Sequence, residues 1–170
     1  MTWIAFAVLA VQILLLLYVA AVDIATRLIH NETCLILALL GIAGQFAFAG
    51  PTHVAESLAA ATILFLLLIV VYQQGWIGGG DVKLLVALAI GLPLIGVVQL
   101  LTVTALAGTV LAAAHLMMRL LPHPRPAPAG SPLGHRVYAV ERWRNLRQAP
   151  LPYGAAIACG GIWTLLSHRF

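Results

Sequence analysis

The stretch WIAFAVLAVQILLLLYVAAV, residues 3–22, decides the fold class of this chain. It holds 20 residues without a charged side chain, which is the length that an α-helix needs to cross the hydrocarbon core of a bilayer. The run is longer than the apolar core of a secretory signal peptide, and no basic segment precedes it. We therefore expect a membrane-spanning helix that is retained in the protein.

The composition of the whole chain also indicates a membrane protein. Of its 170 residues, 62% are hydrophobic and 8% are charged, and the mean hydropathy is +1.03. Soluble domains carry about 25% charged residues, so a water-soluble fold could not cover this much apolar surface. The formal net charge is +4, with most basic residues in one loop between apolar segments. This pattern favours contact with lipid head groups and argues against a nucleic-acid partner.

Further apolar segments predict an all-α membrane bundle of about six spanning helices that forms a single domain over residues 1–170. The predicted helices cover residues 3–22, 33–49, 54–72, 82–95, 97–118 and 151–167. The fourth and fifth are divided at Gly91-Leu92-Pro93, because proline breaks a helix and glycine loosens it. The boundaries of the fourth helix are the least sharply defined by the pattern.

One long polar segment, about residues 119–149, separates the last two predicted spans. Its first part is rich in proline, and residues 134–148 interleave arginines with apolar and aromatic side chains. This second part is either an interfacial helix or a solvated basic loop. Eight of the nine Lys and Arg residues lie in or beside odd-numbered loops. The positive-inside rule therefore predicts that these loops are cytoplasmic and that both termini are outside.

Two of the five acidic residues stand at the ends of predicted spans on the same side of the membrane. Asp23 follows the first span, and Asp81 precedes the fourth. A charge at membrane depth is costly and needs a reason. Asp81 could be a helix N-cap, and Asp23 could pair with Arg27 one turn later. Neither alternative explains Gly78-Gly79-Gly80, which would give another backbone close access to the Asp81 carboxylate.

Two carboxylates that meet at one membrane face could hydrolyse a peptide bond. One would stay ionised and take a proton from water, while the other would stay neutral and donate to the carbonyl, because repulsion and burial separate their pKa values. The chain contains no HExxH or GxSxG motif. Cys34 and Cys159 lie in apolar segments without metal-ligand spacing. We therefore expect no metal, no cofactor and no serine or cysteine nucleophile.

Three segments resemble the motifs of the type IV prepilin peptidases, which are membrane aspartyl proteases. Residues 78–81, GGGD, fit the GxGD motif and are followed in the usual way by VKLL. Residues 23–31, DIATRLIHN, resemble the first motif, an aspartate followed by a basic stretch and Ile-Pro-Asn, although His30 replaces the proline and would alter the bend of this loop. Residues 151–158, LPYGAAIA, resemble the signature of the final helix.

The resemblance implies a membrane aspartyl endopeptidase of the bacterial inner membrane, with Asp23 and Asp81 as the catalytic pair. Such enzymes remove the basic leader of a prepilin or pseudopilin on the cytoplasmic side, after a glycine. The matched residues expected to support the pair are Asn31, Gly78, Gly80, Lys83, Pro152, Tyr153 and Gly154. The chain is similar to the short peptidases of Tad/Flp-type pili. It lacks the domain with paired cysteines found in longer relatives, which argues against N-methyltransferase activity.

The supporting residues have separate expected roles. Gly78 and Gly80 would let the backbone turn before the second aspartate. Lys83 would extend to lipid head groups rather than favour an ionised carboxylate, and Asn31 would cap the second helix. Residues 152–154 would shape the start of the last helix, where a tyrosine could also anchor the chain at the interface.

Two other functions fit the same composition. An ion or solute transporter would place a carboxylate in the middle of a span, on a broken helix, whereas Asp23 and Asp81 lie at segment ends. A non-catalytic component of a pilus or secretion machine would need contact surfaces but no pair of aspartates. The sequence leaves the oligomeric state and the identity of the prepilin open.

Overall fold

A computed structural model describes residues 3–48, 51–120, 130–147 and 151–169. Within these ranges the regular secondary structure is entirely helical, which confirms the prediction of an all-α chain. The helices in these ranges are α1 (Trp3–Thr26), α2 (Asn31–Phe48), α3 (Pro51–Gln73), α4 (Gly79–Ala89), α5 (Leu94–Leu120), α6 (Leu133–Leu146) and α7 (Tyr153–Arg169).

Three helices in the described ranges are long and apolar enough to cross a membrane. They are α1 with 24 residues, the Thr52–Gln73 part of α3 with 22, and α5 with 27. A rise of 1.5 Å per residue makes the shortest of them about 33 Å long, enough for a hydrocarbon core of about 30 Å. In the 18-residue apolar stretch of each helix, at most 28% of the residues are buried within the protein. Most of these side chains are therefore open to lipid. The chain is therefore a membrane protein. The prediction of six spans, with both termini outside, stays a prediction.

The predicted break between the fourth and fifth helices is confirmed, because α4 ends at Ala89 and α5 begins at Leu94. Pro93 directly precedes α5, and its carbonyl accepts a hydrogen bond from the Val97 N–H at 3.0 Å. The predicted fourth helix, residues 82–95, is wrong at both ends, since α4 begins at Gly79 and has 11 residues. Such a helix is about 16 Å long, which is too short to cross a bilayer alone.

The polar segment before the last helix is partly helical. Residues 133–146 form α6, so a helix within predicted residues 134–148 is confirmed, while its position at a membrane interface stays a prediction. The proline-rich residues 121–129 lie outside the described residues.

The chain divides into two compact units. The first comprises residues 1–108 and 152–170, and the second comprises residues 109–151. A single domain over residues 1–170 stays a prediction.

In the first unit, α4 is the central helix. It packs against α2, α3 and α7, while α1 packs against α2 and α7. Leu84 and Ala89 of α4 are fully buried, and Leu88 together with Leu16 of α1 covers Gly161 of α7. The short helix is thus held on several sides by its neighbours, which fixes the position of its first turn.

The turn between α4 and α5 is held against α2 by a close contact of two glycines. A Cβ atom on Gly41 would lie 2.7 Å from the Cα of Gly91. One turn further along α2, the side-chain amide of Gln45 donates a hydrogen bond to the Gly91 carbonyl at 3.1 Å. The two backbones can come this close only because neither glycine carries a side chain.

We expect Gly41→Ala to lower the free energy of unfolding by about 1–3 kcal/mol, because the added methyl group meets backbone that cannot rotate away. Thermal unfolding in detergent micelles would show a lower Tm. Gly134→Ala is the matched control, since nothing lies within 4 Å of a Cβ atom there and alanine favours a helix over glycine. An equal Tm for Gly41→Ala and the unchanged protein would contradict the close packing of α2 against this turn.

Candidate active site

Asp23 and Asp81, the two aspartates singled out in the sequence, stand at helix ends in the first unit. Asp23 lies in the last turn of α1 and is 5% exposed. Asp81 lies in the first turn of α4 and is partly buried. Both side chains are therefore largely withdrawn from solvent, where a carboxylate is costly unless its surroundings compensate.

Helix α1 ends in a sharp turn at Arg27, four residues after Asp23. Arg27 has a φ of 60°, in the left-handed region that side chains with a Cβ atom rarely adopt. Its N–H donates a hydrogen bond to the Asp23 carbonyl at 2.9 Å, and the Thr26 hydroxyl donates to the Val22 carbonyl at 2.8 Å. These bonds satisfy carbonyls at the end of α1, as in a left-handed helix cap. The chain then passes through Ile29 into α2.

Asp81 is the third residue of α4, and Gly78 is its N-cap. The Gly78 N–H donates a hydrogen bond to the Asp81 carboxylate, and a Cβ atom on Gly78 would lie 3.0 Å from Oδ2 of Asp81. This bond is the backward-reaching half of a capping box. The alternative that Asp81 is itself the N-cap is therefore wrong, although its carboxylate still stabilises the start of the helix.

Ile29 and Gly154 bring the two helix ends together. A Cβ atom on Gly154, in the first turn of α7, would lie 2.9 Å from Cγ of Asp23 and 3.1 Å from Cδ1 of Ile29. Ile29 also meets α4, since a Cβ atom on Gly80 would lie 3.2 Å from the Cβ of Ile29. The end of α1 and the starts of α4 and α7 thus share one packed region.

The two carboxylates are close enough to influence each other. Burial, and after it the negative charge of Asp23, raises the pKa of Asp81 to about 6, against the opposing effect of the hydrogen bond from Gly78. The two protons therefore leave such a pair in separate steps, which belong to the pair rather than to either residue. Below about pH 6, the Asp81 carboxyl therefore keeps its proton.

Lys83 and Asn31 connect the starts of α4 and α2. The Lys83 ammonium group donates a hydrogen bond to Oδ1 of Asn31 at 2.9 Å. We expected this lysine to extend to lipid head groups, but its ammonium group has a partner 52 residues earlier in the chain. Asn31, expected to cap the second helix, is the first residue of α2, and its side chain joins the two helix starts.

The segment at residues 152–154 forms the start of α7, as expected. Pro152 is buried, and its carbonyl accepts a hydrogen bond from the Ala155 N–H at 3.2 Å. The Tyr153 ring packs against Gly108 of α5, where a Cβ atom would lie 2.6 Å from Cε2. Tyr153 is thus a packing residue of the first unit, next to the glycine that contacts Asp23.

Two contacts at the glycine-rich segment were not found from the sequence. A Cβ atom on Gly79 would lie 3.3 Å from Cε2 of Tyr72 at the end of α3, and Ile29 covers Gly80. These glycines make room for side chains of the protein itself, whereas we expected them to make room for another backbone. Ile29 could have been found from the resemblance, because it belongs to the segment aligned with Ile-Pro-Asn. Nothing in the sequence pointed to Tyr72.

Comparison with known proteins identifies one family. The model of the type IV leader peptidase family matches residues 10–113, which is more than half of the chain and includes both aspartates. Residues 151–158, which resemble the final-helix signature, lie outside this match. No curated protein and no solved structure gives a significant match.

We expect the Asp81 carboxyl to titrate near pH 6, and Asp23→Asn to lower its pKa because the nearby negative charge is lost. Burial is the larger cause, so the pKa should stay above its ordinary value in this variant. The chemical shifts of ¹³C-labelled aspartate carboxyls in detergent micelles would report both. Glu56→Gln, near the start of α3, is the control and should leave the titration unchanged. An Asp81 pKa that does not respond to Asp23→Asn would mean that the carboxylates do not interact.

Proposed function

This chain belongs to the type IV leader peptidase family, and we propose that it is an aspartyl endopeptidase of the bacterial inner membrane whose catalytic pair is Asp23 and Asp81. The proposal rests on the packing of the end of α1 against the starts of α4 and α7 around Ile29 and Gly154. At this place burial, and after it the negative charge of Asp23, raises the pKa of Asp81 to about 6. Two interacting carboxyls with separated pKa values are the arrangement that aspartic proteolysis requires.

The two aspartates divide the chemistry of hydrolysis. Asp81, with its raised pKa, holds the proton and donates it to the oxygen of the scissile carbonyl. Asp23 is ionised and takes a proton from the attacking water. A C–O bond forms, and the proton taken by Asp23 then passes to the leaving amine as the C–N bond breaks. Asp81, now ionised, takes a proton back from a hydroxyl of the tetrahedral intermediate as the carbonyl re-forms. Both carboxyls thereby return to their starting protonation states.

The residues around the pair hold it in position. Gly154 leaves space for the Asp23 carboxylate, since any larger residue would overlap it. The Gly78 N–H orients the carboxylate of Asp81. The hydrogen bond between Lys83 and Asn31 links the helix that carries Asp81 to the start of α2. These are positioning roles, because none of these four residues needs to exchange a proton with the substrate.

The cytoplasmic face is the side of the membrane that we propose for the cleavage. The site is built from the end of α1, the starts of α2 and α4, and the start of α7, which belong to or border the odd-numbered loops. Arg27 and Lys83 lie at this same end, and basic residues favour the cytoplasmic side. A multi-pass arrangement of six spans would place both termini on the opposite side.

The substrate that we propose is the basic leader of a prepilin or pseudopilin, cut after a glycine, in a Tad/Flp-type system. Such a substrate joins a basic leader to an apolar helix. Much of the apolar surface of α1 and α3 is exposed, so the helix of the substrate could lie beside them in the bilayer while the leader reaches the aspartates. A transporter is less well supported, because Asp23 and Asp81 stand at helix ends rather than in the middle of a span.

We expect Asp23→Asn and Asp81→Asn each to reduce leader removal by about 10²–10⁴-fold, because an amide cannot exchange the proton that each step needs. Each variant would be expressed with candidate prepilins in cells that lack other leader peptidases, and the mass of the prepilin N-terminus would be measured. Glu56→Gln removes an exposed carboxylate near the start of α3 and should cleave normally. Normal cleavage by both aspartate variants would reject the mechanism.

A further inference from the structure

The second unit, residues 109–151, has a polar interior that the proposed peptidase site does not use. Asn145 of α6 is 5% exposed. Its amide donates a hydrogen bond to the His115 carbonyl at 2.5 Å, and its side-chain carbonyl accepts one from Nε of Arg119 at 2.9 Å. These two bonds hold the guanidinium group in one orientation relative to α6.

A cavity of about 230 Å³ opens beside this guanidinium group. Its lining combines three polar and three apolar residues, Ala112, His115, Leu116, Arg119, Asn145 and Leu151. This volume is many times larger than the roughly 10–15 Å³ that a single water molecule needs. The cavity therefore offers space for a small polar group next to a fixed cation, with apolar walls around it.

Glu141, the one acid of residues 109–151, is paired beside this cavity. Its Oε1 accepts a hydrogen bond from Nη1 of Arg144 at 3.1 Å, and its Oε2 lies 3.7 Å from Nε2 of His115. The segment contains six arginines and this single glutamate. The electrostatic field of the unit is therefore positive and favours an anionic ligand.

The position of Arg119 relative to the membrane indicates that such an anion would belong to a lipid. Arg119 lies in the last turn of α5, which is long and apolar enough to cross the membrane. The end of a spanning helix lies at the level of the lipid phosphates. Leu116, Met117 and Leu120 are 61%, 68% and 80% exposed on the same turns, so apolar contacts for acyl chains adjoin the cation.

The exposed surface of α6 fits the same environment. Val137, Val140 and Trp143 are exposed apolar residues, and the exposed Arg136 and Arg147 stand before and after them in the chain. The Arg147 guanidinium group lies 5.8 Å from the centre of the Trp143 ring. Mixed apolar, aromatic and basic side chains are typical of helices that lie in an anionic membrane interface.

We propose that the cavity beside Arg119 binds the phosphodiester head group of an anionic phospholipid. The guanidinium group donates charge-assisted hydrogen bonds to the phosphate oxygens, and Leu116 and Leu151 contact the glycerol and the first methylenes. A zwitterionic lipid binds less well, because its ammonium group meets a segment with a large excess of arginine. The site is independent of the peptidase chemistry, so its failure would leave the proposed function untouched.

The test uses the whole chain in detergent and measures heats of binding by calorimetry. The ligands are dihexanoyl phosphatidylglycerol and dihexanoyl phosphatidylcholine, each below its micellar concentration, and inorganic phosphate. We expect saturable binding of the phosphatidylglycerol, and Arg119→Gln should weaken it at least tenfold. Arg136→Gln is the matched control, because it removes an equal charge from an exposed position of α6 outside the cavity lining. It should weaken binding less than threefold.

A second variant separates loss of the site from loss of the fold. Leu116→Trp fills part of the cavity and keeps every polar partner, so it should also weaken binding at least tenfold, while Arg119→Lys keeps the charge and should restore part of the affinity. Equal weakening by Arg119→Gln and Arg136→Gln would overturn the proposal in favour of diffuse attraction. Binding of phosphatidylcholine or inorganic phosphate as tight as that of phosphatidylglycerol would also overturn it.

Discussion

The carboxylates of Asp23 and Asp81 repel each other, and the packing around these helix ends holds them near each other despite the repulsion. Each carboxylate is withdrawn from water, and each raises the cost of ionising the other. The fold accommodates them because one can keep its proton, as the raised pKa of Asp81 indicates. The Gly78 N–H offsets part of the remaining cost. We expect the pair to change its protonation state near pH 6.

Close packing keeps the pair together. Gly80 and Gly154 present no side chain to Ile29, and Gly154 presents none to Asp23, so three helix ends can meet where larger residues would separate them. Arg27 adopts a φ of 60°, which costs free energy for a residue with a Cβ atom. The short helix α4 contributes through its buried face, which fixes its first turn from several sides. The strained backbone of Arg27, and the glycines that lose the most conformational entropy on folding, thus lie close to the two aspartates.

Much of this arrangement could be predicted from the sequence, because lipid imposes simple rules on length and composition. The apolar runs predicted the long helices, Pro93 marked the start of α5, and the position of the two aspartates at segment ends indicated a shared site. The start of α4 could not be predicted, because glycine has a low helix propensity, yet Gly79 and Gly80 form its first turn, close to Tyr72 and Ile29. The hydrogen bond between Lys83 and Asn31 joins residues far apart in the chain, and no local pattern encodes it.

The proposed chemistry requires an arrangement in which Asp23 and Asp81 face each other at one end of the first unit. Its most direct test is thiol cross-linking in native membranes of Asp23→Cys/Asp81→Cys, with Cys34 and Cys159 replaced by alanine, using a short bismaleimide and mass spectrometry. We predict rapid intramolecular cross-linking of this pair. Asp23→Cys/Glu56→Cys should not react, because Glu56 lies about 26 Å along α3 from the end of that helix near the site. Cross-linking of the Glu56 pair in preference to the Asp81 pair would contradict the account.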